Sequence, residues 1–119
     1  ERSDKTPANL VAYYEILRPE DHDIASRIAF RIPSAFPSAG IDVVALPPGA
    51  PEEADVRYFD PAQKPNAEWL GCMLTAAYKA ETHAEVPGPT HRFEPRLTDP
   101  RFRHVPTNRM EVWFPRIER

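Results

Sequence analysis

Four short stretches of the chain carry the alternating apolar, β-branched and aromatic residues that are typical of β-strands. In the first, residues 9–17, apolar side chains occupy every second position. The second, residues 41–46, is short and almost wholly apolar, which favours a central place in a sheet. Residues 55–59 and 109–114 alternate more clearly. A further stretch, residues 91–97, contains Pro95 and is predicted to be at most a short edge segment.

Two other stretches repeat apolar residues at helical spacing. The first runs from Ile24 to Phe36, with apolar side chains at every fourth position. The second begins near Pro65, which we place in the first helical turn, where the missing N–H of proline is harmless. Its predicted inner face consists of Leu70, Met73, Leu74 and Ala77.

A pair of X-Pro sequences links these elements into a repeat. Asp60-Pro61 lies 42 residues after Arg18-Pro19, and each pair follows a predicted strand and precedes a predicted helix. Proline restricts the residue before it to extended conformations, so each pair should end its strand. The order β-α-β-β-α-β predicts a ferredoxin-like α+β fold, with a four-stranded antiparallel sheet and two helices on one face. In that plan the first and third strands are central, and the last lies at an edge beside the first.

The chain of 119 residues, of which 41% are hydrophobic and 28% charged, is long enough for one soluble domain. We therefore predict a single domain over residues 1–119, with a frayed polar end at residues 1–8. No apolar run approaches the ~20 residues of a membrane helix, so we expect no membrane insertion of this segment. The predicted core comprises Ile24, Ile28, Ile32, Val43, Val56, Leu70, Leu74 and Val112.

Several classes of chemistry lack their sequence signals. Cys72 is the one cysteine, which excludes an intramolecular disulfide and a four-cysteine zinc site, and we interpret it as a buried or half-buried structural thiol. The four glycines form no phosphate-binding loop, and the histidines lack metal-ligand spacing. We therefore predict no cofactor and no metal. A net charge of -3 and the absence of an RNP1 pattern argue against nucleic acid as a partner.

One face of the predicted sheet is a candidate contact surface. The helices should cover the more apolar set, Val56, Tyr58, Met110, Val112 and Phe114. The opposite face would then carry Tyr13, Arg57, Phe59, Glu111 and Trp113, a composition enriched in interfaces. The alternative is that residues 91–108 fold across this face and bury it. The predicted binding residues are Arg57, Phe59 and Trp113, with Arg103 and Arg109 at the rim.

Three segments of the chain resemble a known family pattern. They are Asp23-Ile-Ala-Ser-Arg-Ile-Ala, Gly40-Ile-Asp-Val-Val and Asp55-Val-Arg-Tyr-Phe-Asp-Pro. Over roughly residues 9–75 the chain resembles the C-terminal modules of LytR–CpsA–Psr-type bacterial cell-envelope proteins. It departs from them at Leu17-Arg-Pro, where the family usually has an Asn-Gly pair. The resemblance implies a non-catalytic accessory domain near the cell wall, in an extracytoplasmic location, and carries over no catalytic residues.

These observations favour a binding or interaction module of a larger bacterial protein, with a protein or a cell-wall component as its partner. Two alternatives stay open. One is a small enzyme of acylphosphatase type, for which Arg18 and Asn66 would supply the arginine and the amide. The other is a domain that forms a homo-oligomer through an exposed sheet.

Overall fold

The computed structural model describes residues 10–32, 40–99 and 108–117. Within these ranges the chain forms five strands and two helices, which confirms the α+β class. A single turn of 3₁₀ helix precedes each α-helix. In chain order the elements are β1 (Val11–Ile16), α1 (His22–Phe30), β2 (Ile41–Val43), β3 (Asp55–Tyr58), α2 (Lys64–Thr82), β4 (Glu94–Leu97) and β5 (Arg109–Trp113).

The repeat predicted from the two X-Pro pairs is confirmed by the boundaries of these elements. The 3₁₀ turns begin at Pro19 and Pro61, and each α-helix begins three residues later. Both residues that precede a proline are extended, as the clash with the proline ring requires. In the second unit, the Asp60 carboxylate also accepts a hydrogen bond from the Ala62 N–H at 2.9 Å. Local sequence therefore ends each strand and starts each helix.

The strand order, β2-β1-β5-β3-β4, differs from the predicted one. β1 pairs in parallel with β2, and β3 with β4, so each helix joins two adjacent parallel strands. β5 lies between these two βαβ units, parallel to β1 and antiparallel to β3. The predicted four-stranded antiparallel, ferredoxin-like sheet is therefore wrong. The sheet is mixed and five-stranded, because each helix returns the chain to the neighbour of the strand that it left.

Two strands exchange the places that we predicted for them. β5, expected at an edge, is central because it pairs on both sides. β2, expected to be central, is an edge strand of three residues, and Val43 is 49% exposed, so its assignment to the core was wrong. β4 lies at the other edge, as Pro95 predicted.

The main hydrophobic core lies between the helices and one face of the sheet. On this face Tyr14 aligns with Val112, and Val112 with Val56. The two helices pack on this face beside each other, and Glu81 of α2 pairs with Arg27 of α1 at 3.2 Å and with Arg31, which follows α1, at 2.7 Å. The face assignment is confirmed, and so is the burial of Ile24, Ile28, Ile32, Val56, Leu70, Leu74 and Val112.

A close contact joins α2 to the segment that leads into β4. The Thr75 hydroxyl accepts a hydrogen bond from the Phe93 N–H at 2.9 Å and donates one to the Gly71 carbonyl at 2.8 Å. A Cβ at Gly71 would lie 2.7 Å from the Phe93 carbonyl oxygen, so the approach requires glycine. The neighbouring Cys72 is exposed on the other side of α2, so its predicted burial is wrong.

Leu70→Ala should lower the free energy of unfolding by about 2–5 kcal/mol, because the Leu70 side chain is fully buried and its removal leaves a cavity. Urea denaturation followed by circular dichroism measures this loss. Leu97→Ala is the matched control, since Leu97 is 51% exposed and should change stability by about 0.5 kcal/mol or less. Equal losses in the two variants would contradict the packing of α2 on the sheet.

Gly71→Ala should also destabilise the protein, although alanine is the better helix former. Overpacking typically costs about 1–3 kcal/mol, which exceeds the gain in helix propensity of up to about 1 kcal/mol. The measurement is the urea midpoint, with Cys72→Ala as the control one position along the same helix. A variant more stable than the wild type would show that the contact between Gly71 and Phe93 is not tight.

Candidate interaction surface

The face of the sheet opposite the helices carries charged and aromatic side chains. Across the three central strands, Tyr13 aligns with Glu111, and Glu111 aligns with Arg57. Arg109 and Trp113 lie two positions before and after Glu111, on the same side of β5. We call Tyr13, Arg57, Arg109, Glu111 and Trp113 the arginine–aromatic face.

Two arginines of this face stack on two aromatic rings. The guanidinium carbon of Arg57 lies 4.2 Å from the centroid of the Trp113 ring. The guanidinium carbon of Arg109 lies 4.0 Å from the Tyr13 ring. Both distances are well within the ~6 Å range of cation–π attraction. All four side chains are half-buried, so each stack keeps part of its surface accessible.

Glu111 connects the two stacks at the centre of the sheet. Its Oε2 accepts a hydrogen bond from Arg109 Nη2 at 2.9 Å, and its Oε1 accepts one from Trp113 Nε1 at 3.4 Å. The carboxylate is only 2% exposed. A buried carboxylate has to be paired, because an unpaired charge is expensive to remove from water. Glu111 therefore holds an arginine of one stack and the tryptophan of the other in place.

A second buried carboxylate, Asp55, extends this network towards the sheet edge. Asp55 is fully buried and accepts hydrogen bonds from Arg57 Nε at 3.3 Å and from Arg96 Nε at 3.1 Å. Arg96 in turn donates from Nη2 to Glu53 at 2.8 Å. Burial raises the pKa of the Asp55 carboxyl above its ordinary value of 3.8, against the opposing effect of Arg57 and Arg96.

The structure brings together three of the five predicted binding residues. Arg57 and Trp113 form one stack, and Arg109 lies on the same face and forms the other. Phe59 follows the last residue of β3 and lies outside the main core, but it is only 4% exposed and offers little contact area. Arg103 lies outside the described residues, as do residues 100–107 of the segment proposed to cover this face.

Sequence analysis missed Asp55 and Arg96 as members of the network. The available signal was an acid at the start of an apolar strand, where a carboxylate needs a cation from a neighbouring strand. Among the described strand residues, the register assigns five acids and three arginines to this face. This acidic balance opposes the binding of a polyphosphate backbone. The acids are Glu15, Asp42, Asp55, Glu94 and Glu111, and the arginines are Arg57, Arg96 and Arg109.

The two residues considered for acylphosphatase-type chemistry lie apart. Arg18 follows the carboxyl end of β1, and Asn66 follows that of β3. β1 runs parallel to β5 and β3 antiparallel to it, so these ends lie at opposite ends of the sheet. Arg18 binds the buried Asp21 carboxylate at 2.9 Å and the Ile117 carbonyl at 2.9 Å. Asn66 donates a hydrogen bond to Gln63 at 2.7 Å.

Within residues 10–32, 40–99 and 108–117, no three His, Cys, Asp or Glu side chains are grouped as a metal site would need. Neither helix in the same ranges is long and apolar enough to cross a membrane.

Comparison of the chain with protein-family models, curated proteins and solved structures finds no match. The resemblance to LytR–CpsA–Psr-type C-terminal modules therefore depends on the sequence pattern alone.

The raised pKa of Asp55 predicts how the stability of the protein should change with pH. Because its pKa is raised in the native state, the native chain binds more protons at this group than the unfolded chain does at pH values just above 3.8. The contribution of Asp55 to the free energy of unfolding should therefore fall as pH rises through that interval. Asp55→Asn removes this titration, so the stability of the wild type relative to the variant should be greater near pH ~4 than near pH ~7.

Urea denaturation of both proteins across this pH range measures the difference between them. Glu81, whose pKa is lowered mainly by its hydrogen bond with Arg31, is present in both proteins and cancels. A difference that grows as pH rises would mean that Arg57 and Arg96 outweigh burial at Asp55.

Proposed function

We propose that this chain is a non-catalytic binding module whose contact surface is the arginine–aromatic face. The observation that carries the proposal is the pair of stacks, Arg57 on Trp113 and Arg109 on Tyr13. Tryptophan, tyrosine and arginine are the residues that most often dominate binding energy at protein interfaces. Two adjacent arginine–aromatic pairs on one sheet face therefore support recognition of a protein partner.

The contact residues are held in place before any partner binds. Asp55 binds Arg57, and Glu111 binds Arg109 and Trp113. A side chain that is already fixed loses less rotamer freedom on binding, which otherwise costs about 0.5–1.5 kcal/mol for each flexible side chain. This arrangement supports binding through a rigid surface.

The charge of the face favours one kind of partner. Among the described strand residues on this side of the sheet, five acids surround and outnumber the three arginines, so a protein surface with hydrogen-bond donors and some positive charge is more complementary than an anionic polymer. The resemblance adds the context of a bacterial envelope and an extracytoplasmic location, with a cell-wall component as the other partner class. We therefore propose an accessory domain of an envelope protein.

The positions of Arg18 and Asn66 favour this proposal over acylphosphatase-type catalysis. Arg18 is occupied by Asp21 and by the backbone of Ile117, and it lies at the other end of the sheet from Asn66. Self-association through the same face is a separate outcome, which light scattering over a concentration series distinguishes from binding to another molecule.

The test compares two double variants that remove the same charge. Arg57→Ala/Arg109→Ala disrupts both stacks, whereas Arg27→Ala/Arg31→Ala removes two exposed arginines, one within α1 and one directly after it. Because the first variant also removes arginine partners of the buried Asp55 and Glu111, thermal melts verify that both variants fold. Each immobilised protein is incubated with a bacterial envelope-protein extract, and, in a second arm, with purified peptidoglycan. We expect the first variant to lose at least about tenfold in retention of one envelope protein, corresponding to about 1.4 kcal/mol, and the second to behave as the wild type.

A spectroscopic readout reports on the face directly. In a Trp69→Phe background, Trp113 is the one remaining tryptophan, and its emission should shift when the retained protein is added. Equal retention by both double variants would contradict the assignment of the surface. Retention of peptidoglycan alone would assign the cell wall as the partner, and concentration-dependent dimers abolished by Arg57→Ala/Arg109→Ala would replace the proposal by self-association.

A further inference from the structure

A cavity of about 330 Å³ lies beside the starts of β3 and β4, at the edge of the sheet. Its walls come from two proline-containing loops, with Pro51 on one and Pro87 and Pro89 on the other, and Ala54 also lines it. We call it the proline-walled cavity. Its volume is at the lower end of the range of about 300–1,000 Å³ that small-molecule sites occupy.

Prolines and backbone hydrogen bonds restrict the conformation of the cavity walls. Proline fixes φ in both loops, and Gly88 supplies the positive φ of +117° that its loop needs. The loop is closed by a hydrogen bond from the His91 N–H to the Gly88 carbonyl at 3.3 Å. The Glu94 N–H donates to the Ala54 carbonyl at 3.1 Å, which joins the two sides. A ligand would therefore meet a preformed site.

Two arginine–glutamate pairs line the cavity among its apolar walls. Arg96 pairs with Glu53 at 2.8 Å, and Arg92 with Glu94 at 3.7 Å. All four side chains are between 39% and 49% exposed, so each pair contributes only about 0–1 kcal/mol. A ligand that offers both charges can replace these partners at low cost.

The two arginine–glutamate pairs are the charged groups of the cavity that a ligand can contact. Glu52, a further acid in the lining, already accepts two hydrogen bonds from Arg116, both at 3.1 Å. Arg96 is anchored by its Nε to the fully buried Asp55, which fixes the plane of the guanidinium. A fixed planar guanidinium is suited to a carboxylate, which it can bind through two parallel hydrogen bonds.

From this arrangement we propose that the proline-walled cavity binds a zwitterionic α-amino acid with an apolar side chain. The ligand carboxylate is bound by Arg96 and Arg92, its ammonium group by Glu53 and Glu94, and its side chain packs on the prolines. A ligand with a single charge is disfavoured, because an anion also meets the glutamates and a cation also meets the arginines. The site is separate from the arginine–aromatic face and does not rest on the function proposed for that face.

The first experiment compares leucine with two analogues, each of which lacks one of its two charges. L-leucine carries both charges, leucinamide lacks the carboxylate, and N-acetyl-leucine lacks the ammonium group. Each is titrated into the protein up to about 10 mM and followed by NMR chemical shifts. We expect saturable shifts at Ala54, Thr90 and Glu94 with leucine, and at least about tenfold weaker binding of each blocked analogue.

The second experiment tests the location with variants at exposed positions. Arg92→Ala and Glu53→Gln should each weaken leucine binding at least about fivefold, while Arg27→Ala, which removes an exposed arginine of α1 that pairs with Glu81, should leave it unchanged. Thermal melts verify that all three variants fold. Absence of saturable binding, equal binding of leucine and a blocked analogue, or unchanged binding in both cavity variants would each overturn the proposal.

Discussion

β5 is the structural element that unites the two halves of this protein. It is hydrogen bonded to β1 on one side and to β3 on the other, while each βαβ unit completes its own parallel pair without it. Its alternating side chains also serve both faces of the sheet. Met110 and Val112 enter the core, while Arg109, Glu111 and Trp113 lie on the opposite side. The hydrophobic core and the polar face therefore depend on the same strand.

Two buried carboxylates constrain the structure of the sheet face opposite the helices, because burying a charge is unfavourable. Glu111 and Asp55 are buried carboxylates, and a buried charge that loses its partner destabilises a protein by about 3–5 kcal/mol. Arg57 and Arg109 come from the same strands as the carboxylates that they bind, whereas Arg96 comes from β4, so the Asp55–Arg96 pair forms only when β3 and β4 have the correct register. The same pairing that satisfies these carboxylates also orients Arg57 and Arg109 over the aromatic rings. Stability and presentation of the surface are thus coupled.

The two proposed binding features share no residue, but Asp55 links them. Asp55 contacts Arg57, which stacks on Trp113, and it also contacts Arg96, which lines the proline-walled cavity. A continuous chain of charged side chains therefore connects the centre of the sheet to its edge. The cavity and the face differ in the chemistry that they offer, since the cavity has apolar walls and half-exposed ion pairs, whereas the face has half-buried stacks.

The features that could be predicted from the sequence arise from interactions between residues close together in the chain. The restriction that proline places on its neighbour ended β1 and β3, and the apolar period placed Ile28, Leu70 and Val112 in the core. Alternation also separated the core face from the face that carries Arg57 and Trp113. These signals act between residues a few positions apart, so they can be seen in one chain without a structure.

The strand order and the ion-pair network depend on contacts between residues that are far apart in the sequence. The repeat was equally compatible with a split antiparallel sheet and with two βαβ units separated by β5, because side-chain period does not specify which strand is the neighbour. The same limit explains the error at Val43, where an apolar strand proved to be an edge. Asp55 is hydrogen bonded to Arg96, which lies forty-one positions further along the chain. Arg57 of β3 stacks on Trp113 of β5. Such pairs depend on register across strands, which only the folded sheet supplies.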